Sequence, residues 1–124
     1  DPVMERDNPE LTDGAYFGPS RGHLFPECAR RVGMPRAYGY GASMGAWLID
    51  YFAGWAGEWG RVVYSKSAYR GPAFAGDATY MTASVTDKLT DDDGRKLVRV
   101  ECKMSNQLGN IMATATADIE LPKR

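Results

Sequence analysis

His23 is the only histidine of the 124-residue chain, so acid–base chemistry near neutral pH rests on it or on carboxylates tuned by their surroundings. The structural alternative is a histidine that caps a following helix or bonds to a neighbouring loop. Ser43 lies in no Gly-x-Ser-x-Gly elbow, and the single histidine stands twenty residues upstream of it, which argues against covalent serine catalysis. Cys28 and Cys102 belong to no Cys-x-x-Cys pair and no Cys/His cluster of metal-ligand spacing, so both read as buried thiols and no metal site is expected. Asp91-Asp92-Asp93-Gly94 lacks the alternating ligands and distal Glu of a calcium loop and reads as a solvated turn. Another kind of chemistry is offered by Gly39-Tyr40-Gly41-Ala42-Ser43. Where a helix starts, unpaired backbone N–H groups carry partial positive charge, so the amides near Gly41, Ala42 and Ser43 could receive a carbonyl oxygen. Glycine there would admit a ligand closely, or simply permit tight packing at the helix start.

These groups need elements to position them. The segment from Pro26 to Val32 has proline suited to a first helical position and Gly33 suited to a C-terminal cap, so a short helix is expected. Met44, Trp47, Leu48, Tyr51, Phe52 and Trp55 recur at the spacing of one helix face, predicting a long helix within about 42–56. That helix is expected to be the buried centre of the domain. Trp47 and Trp55 are accordingly read as core rather than as an aromatic ligand cage. Beyond Gly60 the period becomes two, predicting strands near 61–70, 78–88, 95–105 and 110–121. In the third, Val98, Val100, Cys102 and Met104 form the apolar face; in the fourth, Ile111, Ala113, Ala115, Ala117, Ile119 and Leu121 do. Short polar links predict antiparallel neighbours in a four-stranded meander. The stretch 1–22, with four glycines or prolines among its first eighteen residues, reads as an irregular arm ahead of a single domain over 23–124.

Composition excludes several functions. Fifteen Lys and Arg against sixteen Asp and Glu give a net charge of −1, without the basic excess of a nucleic-acid binder. No apolar run approaches the roughly 18 residues of a membrane span. The polar, acidic stretch Asp1 to Asp13 resembles no secretory leader, so a cytoplasmic protein is expected.

Three motifs together resemble the MaoC-like hot-dog proteins. The segment Ala37 to Gly57, with Tyr38-x-Tyr40-Gly41 at one end and Trp55-x-Gly57 at the other, is similar to that family's central helix. Tyr69 to Lys88 looks like its strand pair joined by a Pro-x-x-x-Gly-Asp turn, here Pro72 to Asp77. Asn106-Gln107-x-Gly109, followed by small and apolar residues up to Leu121-Pro122, is similar to its last hairpin. The resemblance covers about residues 23–122. It implies an α+β hot-dog fold, an antiparallel sheet wrapped around a long central helix. It also implies dimers joined edge to edge, with an acyl-CoA thioester at the seam.

The activity implied is that of a lyase of lipid metabolism, an enoyl-CoA hydratase or 3-hydroxyacyl dehydratase. Hydration of a 2-enoyl thioester needs a base for water, an acid for the α-carbon, and donors for the thioester oxygen. In the family an Asp five residues before a His supplies the first two, with a small residue six positions after it. His23 is followed at that distance by Ala29, but the position five before it is Gly18. Asp7, Asp13 and Glu27 are the candidates to substitute. The resemblance assigns the thioester oxygen to Gly41, Ala42 and Ser43, and Lys66, Arg70 and Arg36 are candidates for the CoA phosphates. No cofactor is expected beyond the CoA of the substrate. Two alternatives stand beside the hydratase: a non-catalytic hot-dog subunit that binds acyl-CoA or completes a partner hydratase, and an acyl-CoA thioesterase. The chain is expected to be a homodimer or higher homo-oligomer, or half of a hetero-oligomer with a second hot-dog subunit.

Overall fold

A computed structural model of the chain describes residues 22–122. Apart from Gly22, the expected arm lies outside the described residues, as do Gly18, Asp7 and Asp13. The described residues group into two compact units. One holds those up to Tyr40 together with Phe74–Gly76; the other holds Gly41–Ala73 and those from Asp77 onward.

In the first unit, α1 (Pro26–Arg31) begins with the expected proline and ends at the expected glycine. Gly33 adopts φ 86°, a left-handed conformation that lets its N–H reach Arg30 O at 3.1 Å and the Met34 N–H reach Ala29 O at 2.9 Å. These bonds satisfy carbonyls that a helix end otherwise leaves unpaired. Cys28 and Ala29 are its buried residues. Downstream, Tyr38 and Phe74 form an antiparallel bridge, and the Ala75 N–H donates to Ala37 O at 2.8 Å.

In the second unit, α2 (Gly41–Ala56) precedes β1 (Arg61–Tyr69), β2 (Tyr80–Thr90), β3 (Lys96–Ser105) and β4 (Ile111–Glu120). All pairings are antiparallel, and the sheet order is β1-β4-β3-β2. Two expectations are corrected here. The sheet is not a simple meander, because only β2, β3 and β4 follow one another. The stretch from Tyr69 to Lys88 is not a paired hairpin either: β1 and β2 stand at opposite edges, and the connection containing Pro72 and Asp77 joins those edges.

α2 packs on one face of this sheet through Met44, Leu48, Phe52 and Ala56, a row advancing by four residues. Leu48 and Phe52 are fully buried against a floor that includes Val100, Cys102, Met104, Ala113, Ala115 and Ala117. The run of alanines in β4 keeps that floor low, so a helix carrying leucine and phenylalanine fits close above it. Trp47 and Trp55 correct the reading of a wholly buried helix, for they retain 42% and 38% of their exposure. The row at 44, 48, 52 and 56 takes the floor, and the tryptophans fall on its flank.

β4 departs from its expected alternation at both ends. A register shift in its pairing with β3 leaves Ile111 exposed and buries Met112, as a bulge does when two residues oppose one. Leu121, past the strand, is exposed as well. On the face away from α2, Asp118 is nearly buried and accepts two bonds from Arg99, Nε to Oδ1 at 2.8 Å and Nη2 to Oδ2 at 3.0 Å. This forked geometry offsets the desolvation of the carboxylate. It also raises the pKa of Arg99, first through the side-chain hydrogen bond and then through the opposite charge.

Asp91 organises the β2–β3 turn by accepting from the N–H of Asp93, the N–H of Arg95 and the Arg95 Nε. Partial burial pushes its pKa up, but the hydrogen bonds and charge of Arg95 outweigh this and hold it below the ordinary carboxylate range. Gln107, at the tip of the β3–β4 hairpin, donates to Asp77 Oδ1 at 2.9 Å and accepts from the Ala78 N–H at 3.0 Å. Two of the motifs picked out from sequence are therefore hydrogen-bonded to each other. No helix among the described residues is long and apolar enough to cross a membrane.

Candidate functional site

His23 is partly buried, and its Nδ1 lies 2.6 Å from the carbonyl oxygen of Tyr38. A carbonyl can only accept, so Nδ1 carries the proton. In the neutral tautomer that this bond selects, the lone pair lies on Nε2, as a general base needs. Two rings fix the plane of the imidazole. Tyr40 stacks on it with centroids 3.9 Å apart at 29°, and Tyr38 meets it edge-on at 4.3 Å and 61°. A Cβ built on Gly22 would stand 2.9 Å from the Tyr38 ring, so glycine there leaves the phenol its place beside the histidine.

Of the two structural roles open to His23, helix capping is not the one observed. The residue before α1 is Phe25, which makes no side-chain cap bond. The loop bond is. Glu27 is exposed in the first turn of α1.

Gly41, Ala42 and Ser43 are the first three residues of α2, whose opening amides have no intrahelical partner. Arg36 donates to Ala75 O at 2.9 Å and lies 5.3 Å over the Phe74 ring. Lys66 pairs in register with Thr116, on the sheet face opposite to the one that Ala115 and Ala117 present to α2. Arg70 follows the end of β1, with its N–H on Met112 O at 2.7 Å. Cys28 and Cys102 are both free and buried, and burial pushes the Cys102 thiol up. Among the described residues no three His, Cys, Asp or Glu side chains are gathered as a metal would require.

The tyrosines around His23 escaped the sequence reading. Tyr38-x-Tyr40 is visible as a helix-start motif, yet nothing in its spacing tells that both rings turn back to a histidine fifteen and seventeen residues upstream.

No protein-family model and no curated protein matches the sequence. Solved structures do match. The (R)-hydratase from A. caviae involved in PHA biosynthesis superposes with a TM-score of 0.71 at 18% identity, over 92% of this chain and 82% of that one. The MaoC-like dehydratase from Rhodospirillum rubrum gives 0.72, again at 18% identity and with the same shares covered. The ChsH1-ChsH2 complex from Mycobacterium tuberculosis gives 0.70 at 20%, over 98% and 88%. The chain has the α+β hot-dog fold. Its structural neighbours include MaoC-like dehydratases and (R)-hydratases, the group its sequence motifs resemble, and some thioesterases.

Proposed function

We propose that the protein is a MaoC-like acyl-thioester enzyme that reversibly hydrates a 2-enoyl-CoA to a 3-hydroxyacyl-CoA. The observation that carries this reading is the Nδ1–H bond from His23 to the Tyr38 carbonyl, which leaves Nε2 as the basic nitrogen. In the proposed reaction Nε2 takes a proton from water as the water adds at the β-carbon, and a proton is returned at the α-carbon. The first-turn amides of α2, at Gly41, Ala42 and Ser43, receive the charge that develops on the thioester oxygen. Arg36 and Arg70 are the cations proposed for the CoA phosphates; Lys66, on the sheet face opposite to α2, drops out of the reading. CoA enters only as part of the substrate, and the reading includes no resident cofactor.

A second reading is favoured by Gly18, which stands where the resemblance calls for an aspartate. In it the chain is a subunit that binds acyl-CoA, or completes the site of a different hot-dog chain that brings its own Asp–His pair. The likeness to one component of a two-protein complex supports it. On either reading the chain works as an oligomer in the cytoplasm, and β1 or β2, the edge strands of the sheet among the described residues, would pair with a partner strand.

Incubation of the pure chain with crotonyl-CoA separates these readings. Loss of the enoyl absorbance supports the hydratase, whereas absorbance that persists overturns it and leaves the subunit. Release of free thiol would instead mark a thioesterase.

A further inference from the structure

Tyr69, the last residue of β1, lies along one side of α2. A Cβ built on Gly45 would stand 2.5 Å from the Tyr69 hydroxyl and 3.7 Å from its Cζ. One built on Gly41, a turn earlier, would stand 4.0 Å from Cε2. The ring edge thus borders the first turn of α2, and the hydroxyl points along the helix toward its middle. Apart from chain neighbours and the helix's own backbone, no other described atom comes within that distance of a Cβ at Gly41.

Glycine inside a helix is a poor former, yet alanine at position 45 would collide with the hydroxyl. Alanine at position 45 would therefore oblige the Tyr69 phenol to shift. The tyrosine pairs in register with Ala113 of the core floor and so belongs to the α2 side of the sheet, but it keeps 52% of its exposure. It is a large ring on the inner side of the sheet that is not a core residue. Whatever is seated on the first turn of α2 meets its edge.

We propose that Tyr69 is a specificity-determining residue, the wall that sets the width of the acyl group accepted beside the thioester carbonyl. This rests on the reading of the α2 first turn as the thioester site. A straight acyl chain passes along the ring edge. A group branched or cyclic at the carbon next to the carbonyl runs into it.

The test is binding of butyryl-CoA and cyclohexanecarbonyl-CoA, saturated thioesters that cannot be hydrated, measured by calorimetry on the full chain. The wild type should prefer butyryl-CoA, and Tyr69→Ala should move the ratio of affinities toward the cyclic thioester by about ten-fold or more. Gly45→Ala, which moves the phenol, should change that ratio as well, and adding Tyr69→Phe, which removes the colliding hydroxyl, should restore it. If Tyr69→Ala does not fold, Tyr69→Leu takes its place in the comparison.

A wild type that binds butyryl-CoA, with a ratio moved by less than about two-fold in the variant, overturns the role of Tyr69 and leaves the thioester reading standing. So does Gly45→Ala binding both thioesters as the wild type does. A wild type that binds neither thioester overturns the site itself, and this inference with it.

Discussion

His23 and Phe52 are held in opposite ways. The histidine has one short directional bond and two ring neighbours, and it stays partly open to solvent. Phe52 has no polar partner to find and is wholly enclosed between α2 and the alanine-rich floor of β4 and its neighbours. Enclosure of that kind stabilises the fold through the area removed from water, whereas a few directed contacts fix an orientation while adding little to stability. The two positions should therefore respond to truncation in different currencies.

The largest effect expected is on rate. His23→Ala should lower kcat for crotonyl-CoA hydration by about 10²–10⁴, the usual worth of a positioned proton transfer, while its urea midpoint stays close to that of the wild type. A variant that unfolds would break the comparison, by showing that the histidine is structural after all.

Phe52→Ala should behave the other way and lose about 3–5 kcal/mol in urea unfolding, because the emptied space lies in the packed layer between helix and sheet. Trp47 sharpens the contrast from the same helix. As a flank residue with two-fifths of its surface already in water, Trp47→Ala should cost less, about 1–2 kcal/mol in the same measurement. A loss equal to that of Phe52→Ala would return Trp47 to the core.

Asp91 represents a third kind of anchorage, by charge, and its effect should be the smallest and the most dependent on pH. Its folded-state pKa lies below the ordinary value. Its contribution is thus fully present above the unfolded carboxylate pKa of about 4 and is lost as the pH falls through the lower folded value. The difference in urea midpoint between wild type and Asp91→Asn should shrink steadily from pH 6 toward pH 3. A constant difference would locate the role of Asp91 in shape alone.

Periodicity made the regular elements legible. The change of period after Gly60 marked β1, and every strand ends within two residues of its expected bounds. Two things escaped it. A one-dimensional pattern cannot say which apolar residues of α2 meet the sheet. Met44, Trp47, Leu48 and Tyr51 are equally apolar in sequence, and only the width of the floor beneath them decides. Nor can a pattern give strand order, since β1 carries the same alternation whether it lies beside β2 or β4. The candidate site was legible in parts, with His23 and the start of α2 found by residue type. The rings that hold His23, and the phenol beside Gly45, needed the backbone to bring distant segments together.

The place of β1 beside β4 has a consequence for the order of folding. β2, β3 and β4 are joined by short turns and can zip from local contacts, one turn pinned by Asp91 and the other by Asn106, which accepts from the N–H groups of Leu108 and Asn110. β1 must wait, because its pairing of Arg61 with Glu120 closes a loop that contains the whole of that meander. Closing a long loop costs entropy before any contact repays it. Truncations on the α2-facing side of β1 should therefore speed unfolding and leave the refolding rate nearly unchanged, while those in the β3–β4 hairpin should slow refolding, a division that stopped-flow kinetics would read directly. The strand that carries Tyr69 at its end would then be the last of the sheet to arrive and the first to leave.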